Sequence, residues 1–525
     1  MTFVTKADHN GEARASPNVP GPLLIAAGLS LTGMADFLFY QSDAGWTWGL
    51  FAFSILAAMA GLNPRLVRGW TGRTVFVFTM GLCAALIEYP SPLTALMLLL
   101  GLATFAISGF DDWSGSAVRW AGRLAMFGLQ WLPRAVIDAW RVSSAVVHAV
   151  LNRSIASAVL SWLLPVGLSV VFEALFYTAN PIIASWLDQI DWRLWSVDLA
   201  WPRFVFWLFT ATAIWPFIRA RLFIRTCTGA PSDPALATER PAAEGAMRLA
   251  LLSQSSVTKS LLLFNGLFAL QNGLDAEYLW RGAALPDGLS FASYAHQRVY
   301  PLIATALLAA VFVLAAFPAG HQSKPSRLVS ALMVMWVAQN VFLVASSMQR
   351  TALYIDAYSL TYLRVAAMIW MALVATGLVW IVFRIALSRS TTWLINANVV
   401  TLLGVLYACC FIDFGAVIAN HNVRHCREMD QQSAKLDLHY LKTIGPSALP
   451  ALKWLSEKAL GAVAGTPLAI TARNAGSLML NLEQRLDYGT RDWRAWTLRW
   501  HRLRRRAGSS AAVAGTLPEW PVVRP

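Results

Sequence analysis

An all-α, polytopic transmembrane bundle of about eleven spans, with a helical extracytoplasmic C-terminal tail, is the fold class this sequence predicts. Three observations carry it. Of 525 residues, 57% are hydrophobic and only 13% charged, with a mean hydropathy of +0.51; that is more apolar surface than one soluble core can hide. Apolar runs of roughly 17 to 25 residues recur between Pro22 and Val417, the length that crosses about 30 Å of hydrocarbon as helix. Basic residues also concentrate on alternate connections, as the positive-inside rule requires of a multi-pass protein.

Taken in order, residues 1–21 are polar. They lack a charged region leading into a short apolar core and a cleavage site, so they read as a cytoplasmic tail and not a signal peptide. A six-span half, 22–219, follows with spans at 22–40, 46–62, 73–89, 92–109, 157–178 and 203–219. Between its fourth and fifth spans, near 114–142, Trp120, Leu124, Phe127 and Trp131 recur at helical spacing against Arg119, Arg123 and Arg134. Such a helix lies in the membrane interface or packs on the floor of the bundle; both readings are open. The stretch 220–259 is rich in Pro, Ala and charge and reads as a cytoplasmic connection. A five-span half, 260–417, has spans at 260–280, 299–318, 327–347, 363–385 and 392–417.

With the amino terminus inside, twenty lysines and arginines fall on inner segments and six on outer loops, namely Arg193, Arg203, Arg281, Arg298, Arg350 and Arg364. This bias predicts a multi-pass protein whose basic connections lie on the cytoplasmic side. It also accounts for the net charge of +14 through anionic lipid headgroups, with no nucleic-acid partner. An odd span number places the tail, 418–525, outside, although it carries a further 16 basic residues. Long translocated segments largely escape the charge rule. In the tail, 436–460 shows leucine stripes broken by Gly445 and Pro446. Near its end DWRAWTLRWHRLRRR sets Trp493, Trp496, Trp500 and Leu503 on one helical face among arginines, a pattern suited to an anionic membrane surface. Five cysteines, scattered through spans and connections, form neither a disulfide framework nor a CxxC site.

The segment LLLFNGLFALQNGLDAEYLW, 261–280, raises the question of function, because so apolar a run carries Asn265, Gln271, Asn272 and Asp275. At 100° per residue these four lie on one side of the helix, beside small residues Gly266, Ala269, Gly273 and Ala276 that allow close helix contact. The acids of the spans, Asp36, Glu88, Glu173, Asp275 and Asp413, all sit near the outer end of inward-to-outward helices. Other polar groups gather there: Glu277, Tyr294, His296, Arg350, Tyr354, Tyr358, Arg364, Asn420 and Asn422. They form a polar cup open to the outside, or a belt of ion pairs at the interface. Asp275 needs a cation, with Arg350 and Arg364 the candidates. His421 and His425, four apart, are weak metal candidates, since juxtamembrane histidines commonly cap or hydrogen-bond and no HExxH is present.

At these residues the chain resembles a bacterial integral-membrane family, the domain of unknown function numbered 4173. The strings that carry the resemblance are ANP at 179–181, LFALQNGLDAEYLW at 267–280, YAHQRVYPLIATALLA at 294–309, RTALYIDAYSLTYLRVAAMIWM at 350–371, NHNV at 420–423 and LDLHYL at 436–441. They span roughly residues 155 to 445. The chain departs from the pattern at Gln297 and Arg298, where the family has Arg-Gly, and at Ser359, where it has Gly. The resemblance implies a multi-span bacterial membrane protein, sometimes accompanied by two-component signalling genes, with no established activity. A sensory, regulatory or envelope-assembly role with a protein partner is therefore expected, with a secondary transporter as the alternative. No nucleophile, phosphate motif, cofactor or catalytic residue is predicted, and an enzyme ranks last.

Overall fold

In the computed structural model, residues 21–109, 116–131, 201–219, 254–281, 326–430, 434–463 and 465–514 are described, with isolated helical positions between 133 and 172. Every regular element among them is helical. In chain order they are α1 Gly21–Phe39, α2 Thr47–Leu62, α3 Arg65–Arg68, α4 Trp70–Glu88, α5 Pro92–Ile107, α6 Ala117–Leu129, α7 Trp201–Ile218, α8 Gln254–Asp275, α9 Arg327–Tyr358, α10 Tyr362–Ala386 and α11 Thr391–Cys409. There follow α12 Phe414–Arg424, α13 Arg427–Asp430, α14 Leu438–Ile444, α15 Leu449–Ala459, α16 Pro467–Gly489 and α17 Leu498–Ala514.

Short polar side chains start several of the helices, because each satisfies an amide that the first turn leaves without a partner. Ser91 accepts from the Thr94 amide at 3.1 Å with Pro92 at the first helical position, Ser390 from Trp393 at 3.1 Å, and Asp437 from Tyr440 at 2.9 Å. Five described helices, α1, α4, α9, α10 and α11, are long and apolar enough to cross a membrane, and α2 and α5 are shorter apolar helices. The protein is thus a membrane-embedded helical protein, although five such helices stand where eleven spans were expected. The expected span 299–318 lies outside the described residues, and 157–178 lies outside them but for isolated positions.

Two expected boundaries shift. The helix from Arg327 runs on to Tyr358 instead of ending near 347, so Arg350 stands inside a helix and not in an outer loop. The run 392–417 is two helices, because Asp413 accepts from the Ala416 amide at 3.0 Å and so caps a new start. The apolar content of 410–417 had hidden that break.

The bundle has two distinct ends. At one lie the α1–α2, α4–α5 and α9–α10 turns and the end of α11; at the other lie α3, α6 and the α10–α11 turn. One apolar core joins α1, α2, α4, α5 and α7 with Phe127 of α6, and a second joins α8, α9, α10 and α11. Tyr407 of α11 links them, stacking on Phe78 at 3.9 Å with its hydroxyl against Gly81, where any Cβ would collide with it. The helix α6 packs on the bundle floor: Trp120 donates to the Thr104 hydroxyl at 3.2 Å, Trp131 donates to the Ala213 carbonyl at 3.2 Å, and Asn396 accepts from the Ala117 amide at 2.8 Å. Its outer face, with Val118 and Leu129 exposed, is apolar too.

Helices α12 to α17 form a cap over the first end. Its own core holds Val423, Leu441, Leu452, Leu455 and Leu482, fully buried. Trp493 and Trp496 are not on a helix with Trp500, because residues 490–497 form turns and α17 begins only at Leu498. The single basic aromatic face expected over 491–506 is therefore broken, and Leu503 is buried in the cap core.

Candidate functional site

The seam between α8 and α9 is built by polar residues, the first two contacts seven residues apart on each helix. Asn265 donates to the Leu332 carbonyl at 3.0 Å and Asn272 to the Gln339 carbonyl at 3.0 Å, while Trp280 donates to the Ser346 hydroxyl at 3.1 Å. Steps of seven on both helices keep one face on one face only if the two run parallel with shallow left-handed crossing. Residues 281 and 326 consequently lie at opposite ends of the bundle. Trp336 fills the space between the first two rungs, stacked on Phe264 at 5.5 Å.

Above these rungs Asp275 and Arg350 form an ion pair, 0% and 1% exposed. Gln271, one turn before Asp275, donates to the same carboxylate at 3.0 Å. A carboxylate this deep stays ionised only beside a cation and donors, and here both come from the two helices of the seam. Directly after Asp275 the chain widens into a π turn, Ala276–Trp280, which buries Leu279 and turns Trp280 toward α9. Gly266 and Gly273 do not make this contact: beyond their own stretch of helix, no described atom lies within 4 Å of a Cβ built on either. Amide side chains reach across the seam, so the backbones need not touch.

The remaining polar residues divide. Arg364 does not reach Asp275; it donates to the carbonyls of Tyr358, at 2.6 Å, and Ser359, and lies over the Tyr354 ring at 4.5 Å. It closes the C-terminus of α9, where unpaired carbonyls attract a cation. Asn422 exchanges two hydrogen bonds with the main chain of Leu360, at 2.7 and 2.9 Å, and so pins the α9–α10 turn to the cap. Glu277 pairs with Arg281 at 2.9 Å on the surface, and Asn420 is exposed. Tyr294 and His296 lie outside the described residues. His421 and His425 stack at 4.5 Å, and no group of three or more metal-ligating side chains forms among the described residues.

Three of the carboxylates at the helix ends, Asp36, Glu88 and Asp413, are held by arginines. Arg203 holds Asp36 through two bonds of 2.8 and 2.5 Å, and Trp207 adds a third at 2.8 Å. Glu88 meets Arg502 at 3.1 Å and Arg499 at 3.8 Å, while Asp413 meets Arg499 at 3.5 Å and the Ser447 hydroxyl at 2.9 Å. Glu173 lies outside the described residues. Two of these pairs join cap to bundle, and main-chain contacts reinforce them. Trp46 donates from its amide to the Trp496 carbonyl at 2.7 Å and from its indole to the Trp493 carbonyl at 2.8 Å; Thr47 donates to the Arg494 carbonyl at 3.2 Å. Gly45 is required there, since any Cβ would run into the Arg494 carbonyl. Sequence reading missed Trp46, Arg494, Arg499 and Arg502 as docking residues. The only signal was complementary charge: an acidic helix-end belt and a run of tail arginines.

The arrangement defines a class: a helical membrane protein whose bundle carries a buried ion pair and a folded helical cap. Within that class the chain belongs to the family described as Domain of unknown function (DUF4153), whose pattern matches residues 70–455. The family number is thus 4153 and not the 4173 of the resemblance, while its unknown function stands. No curated protein and no solved structure matches the chain.

Proposed function

We propose that the protein is a multi-pass component of a bacterial inner membrane with a sensory, regulatory or envelope-assembly role, acting through the cap. In this reading the cap stands outside and offers its surface to a ligand or protein partner. The observation that carries it is the docking of the cap on Trp46, Glu88 and the α9–α10 turn, which lets an event on the cap reach three helix ends at once. The orientation is supported by the other end, where Arg65, Arg68, Arg73, Arg119, Arg123, Arg219, Arg327, Arg384 and Arg389 gather, suited to anionic headgroups of an inner leaflet.

A secondary transporter of a small solute or cation, using Asn265, Asn272 and Asp275, is the second reading, favoured by the intramembrane carboxylate. Against it, Arg350 already closes that carboxylate. Cells lacking the protein, tested for growth under envelope stress, separate the two. For a regulator, the cap-loosening change Arg499→Glu abolishes complementation while the paired change Asp275→Asn with Arg350→Gln retains it. The opposite pattern, with solute flux in proteoliposomes that the paired change removes, would establish the transporter.

A further inference from the structure

On the face of α9 turned away from the α8 seam, a cavity of about 560 Å³ opens between α9, α10, α11 and α12. The volume is that of a small-ligand site, which typically runs from about 300 to 1,000 Å³. Met368 and Ile369 of α10 and Val405 and Ala408 of α11 give it apolar walls. Its polar side chains are Asp356, exposed near the end of α9, and His421 on the cap helix α12, apart from the Cys409 thiol. At 1.5 Å per residue, Met368 lies about 9 Å below the start of α10. The cavity therefore runs from the capped, aqueous end down into the apolar level of the bundle.

Its setting selects the occupant. The helices α10 and α11 bury few side chains and expose Leu363, Trp370 and Val400, so among the described residues they form a lipid-facing edge of the bundle. An apolar cavity opening beside lipid fills with hydrocarbon and not with water, which needs several polar partners to stay. The rim adds charge. The other described carboxylates of the bundle helices, Asp36, Glu88, Asp138, Asp275 and Glu277, are in ion pairs, and Asp356 has none among the described residues. Burial, and next the neighbouring His425, hold His421 below its ordinary value of 6.5 against the opposing pull of Asp356, so at neutral pH the imidazole does not neutralise the carboxylate.

We propose that this cavity holds one acyl chain of a phospholipid whose headgroup carries a primary ammonium, with the ammonium on Asp356. A primary ammonium donates hydrogen bonds to a carboxylate; a quaternary one cannot, and an anionic headgroup is repelled. The inference goes beyond the proposed role and stands whether the protein regulates or transports.

Native mass spectrometry of the full chain in detergent, with an equal mixture of dioleoyl phosphatidylethanolamine, phosphatidylcholine and phosphatidylglycerol, tests it. The ethanolamine lipid should be retained over the glycerol lipid by on the order of tenfold, the ratio one charge-assisted hydrogen bond supplies. Asp356→Asn, an exposed change that leaves the fold intact by circular dichroism, should lower the ethanolamine lipid to the level of the choline lipid. Ala408→Trp, which fills the cavity, should lower all three. Equal retention of the three headgroups, a preference for the glycerol lipid, or ethanolamine retention unchanged by Asp356→Asn would each overturn the proposal. Unchanged retention in Ala408→Trp would place the lipid elsewhere and overturn it as well.

Discussion

A carboxylate and a guanidinium buried together between two helices, as Asp275 and Arg350 are, hold one another in place. Breaking such a pair leaves an uncompensated charge and costs about 3 to 5 kcal/mol, whereas replacing both partners costs far less. Asp275→Asn and Arg350→Gln should each lower the thermal midpoint in detergent, and the double change should lower it by less than their sum. Strict additivity would mean the two side chains do not interact. The same cycle with Arg364 should be additive, because Arg364 serves the α9 carbonyls. A second single-residue effect lies at Ser359, which has φ of 67° and ψ of 165°, a conformation essentially reserved for glycine. Ser359→Gly should stabilise the protein by about 1 kcal/mol, read as a raised thermal midpoint, since a Cβ at positive φ is strained.

Among the elements, the turn before α2 and the turn before α17 meet backbone to backbone. Gly45 leaves the only room for the Arg494 carbonyl, and Trp46 and Thr47 complete the contact with three hydrogen bonds. Gly45→Ala must push the turns apart. Hydrogen exchange should then quicken at the Trp46 amide and across 493–497, while the α8–α9 seam keeps its protection. Exchange unchanged at Trp46 would mean the cap is held by other contacts. The exposed pair between Arg502 and Glu88 should matter less, on the order of 1 kcal/mol or under, because solvent screens it.

For the molecule as a whole, the two ends carry opposite character. Nine arginines crowd the end that holds α3 and α6, and the carboxylate belt sits under the cap. If positive charge marks the cytoplasmic side, a periplasmic reporter fused after residue 514 should be active and one inserted at residue 230 silent. The reverse pattern would mean that the bundle is inverted, with the cap cytoplasmic and the arginine-rich end outside. The docked cap also changes what its tryptophans do: Trp46 binds the main chain of Trp493 and Trp496, so their turn is a fastener to the bundle as well as aromatic surface.

Membrane character was legible in the sequence because it depends on local quantities, the length and apolarity of each run, and the cap leucines were legible from their spacing. The polar face of α8 was legible for the same reason, since the helical period alone sets which residues share a side. What the tertiary structure decided was partnership. That α8 runs parallel to α9, that Arg350 and not Arg364 answers Asp275, and that the break at Asp413 hands Phe414–Arg424 to the cap depend on groups dozens of residues apart. The docking of Trp46 on Trp493 and Trp496 joins residues nearly 450 positions distant. Periodicity encodes how much of a helix is hidden; which surface hides it follows only from the packing of all the helices together, because each apolar face could bury itself equally well against several others.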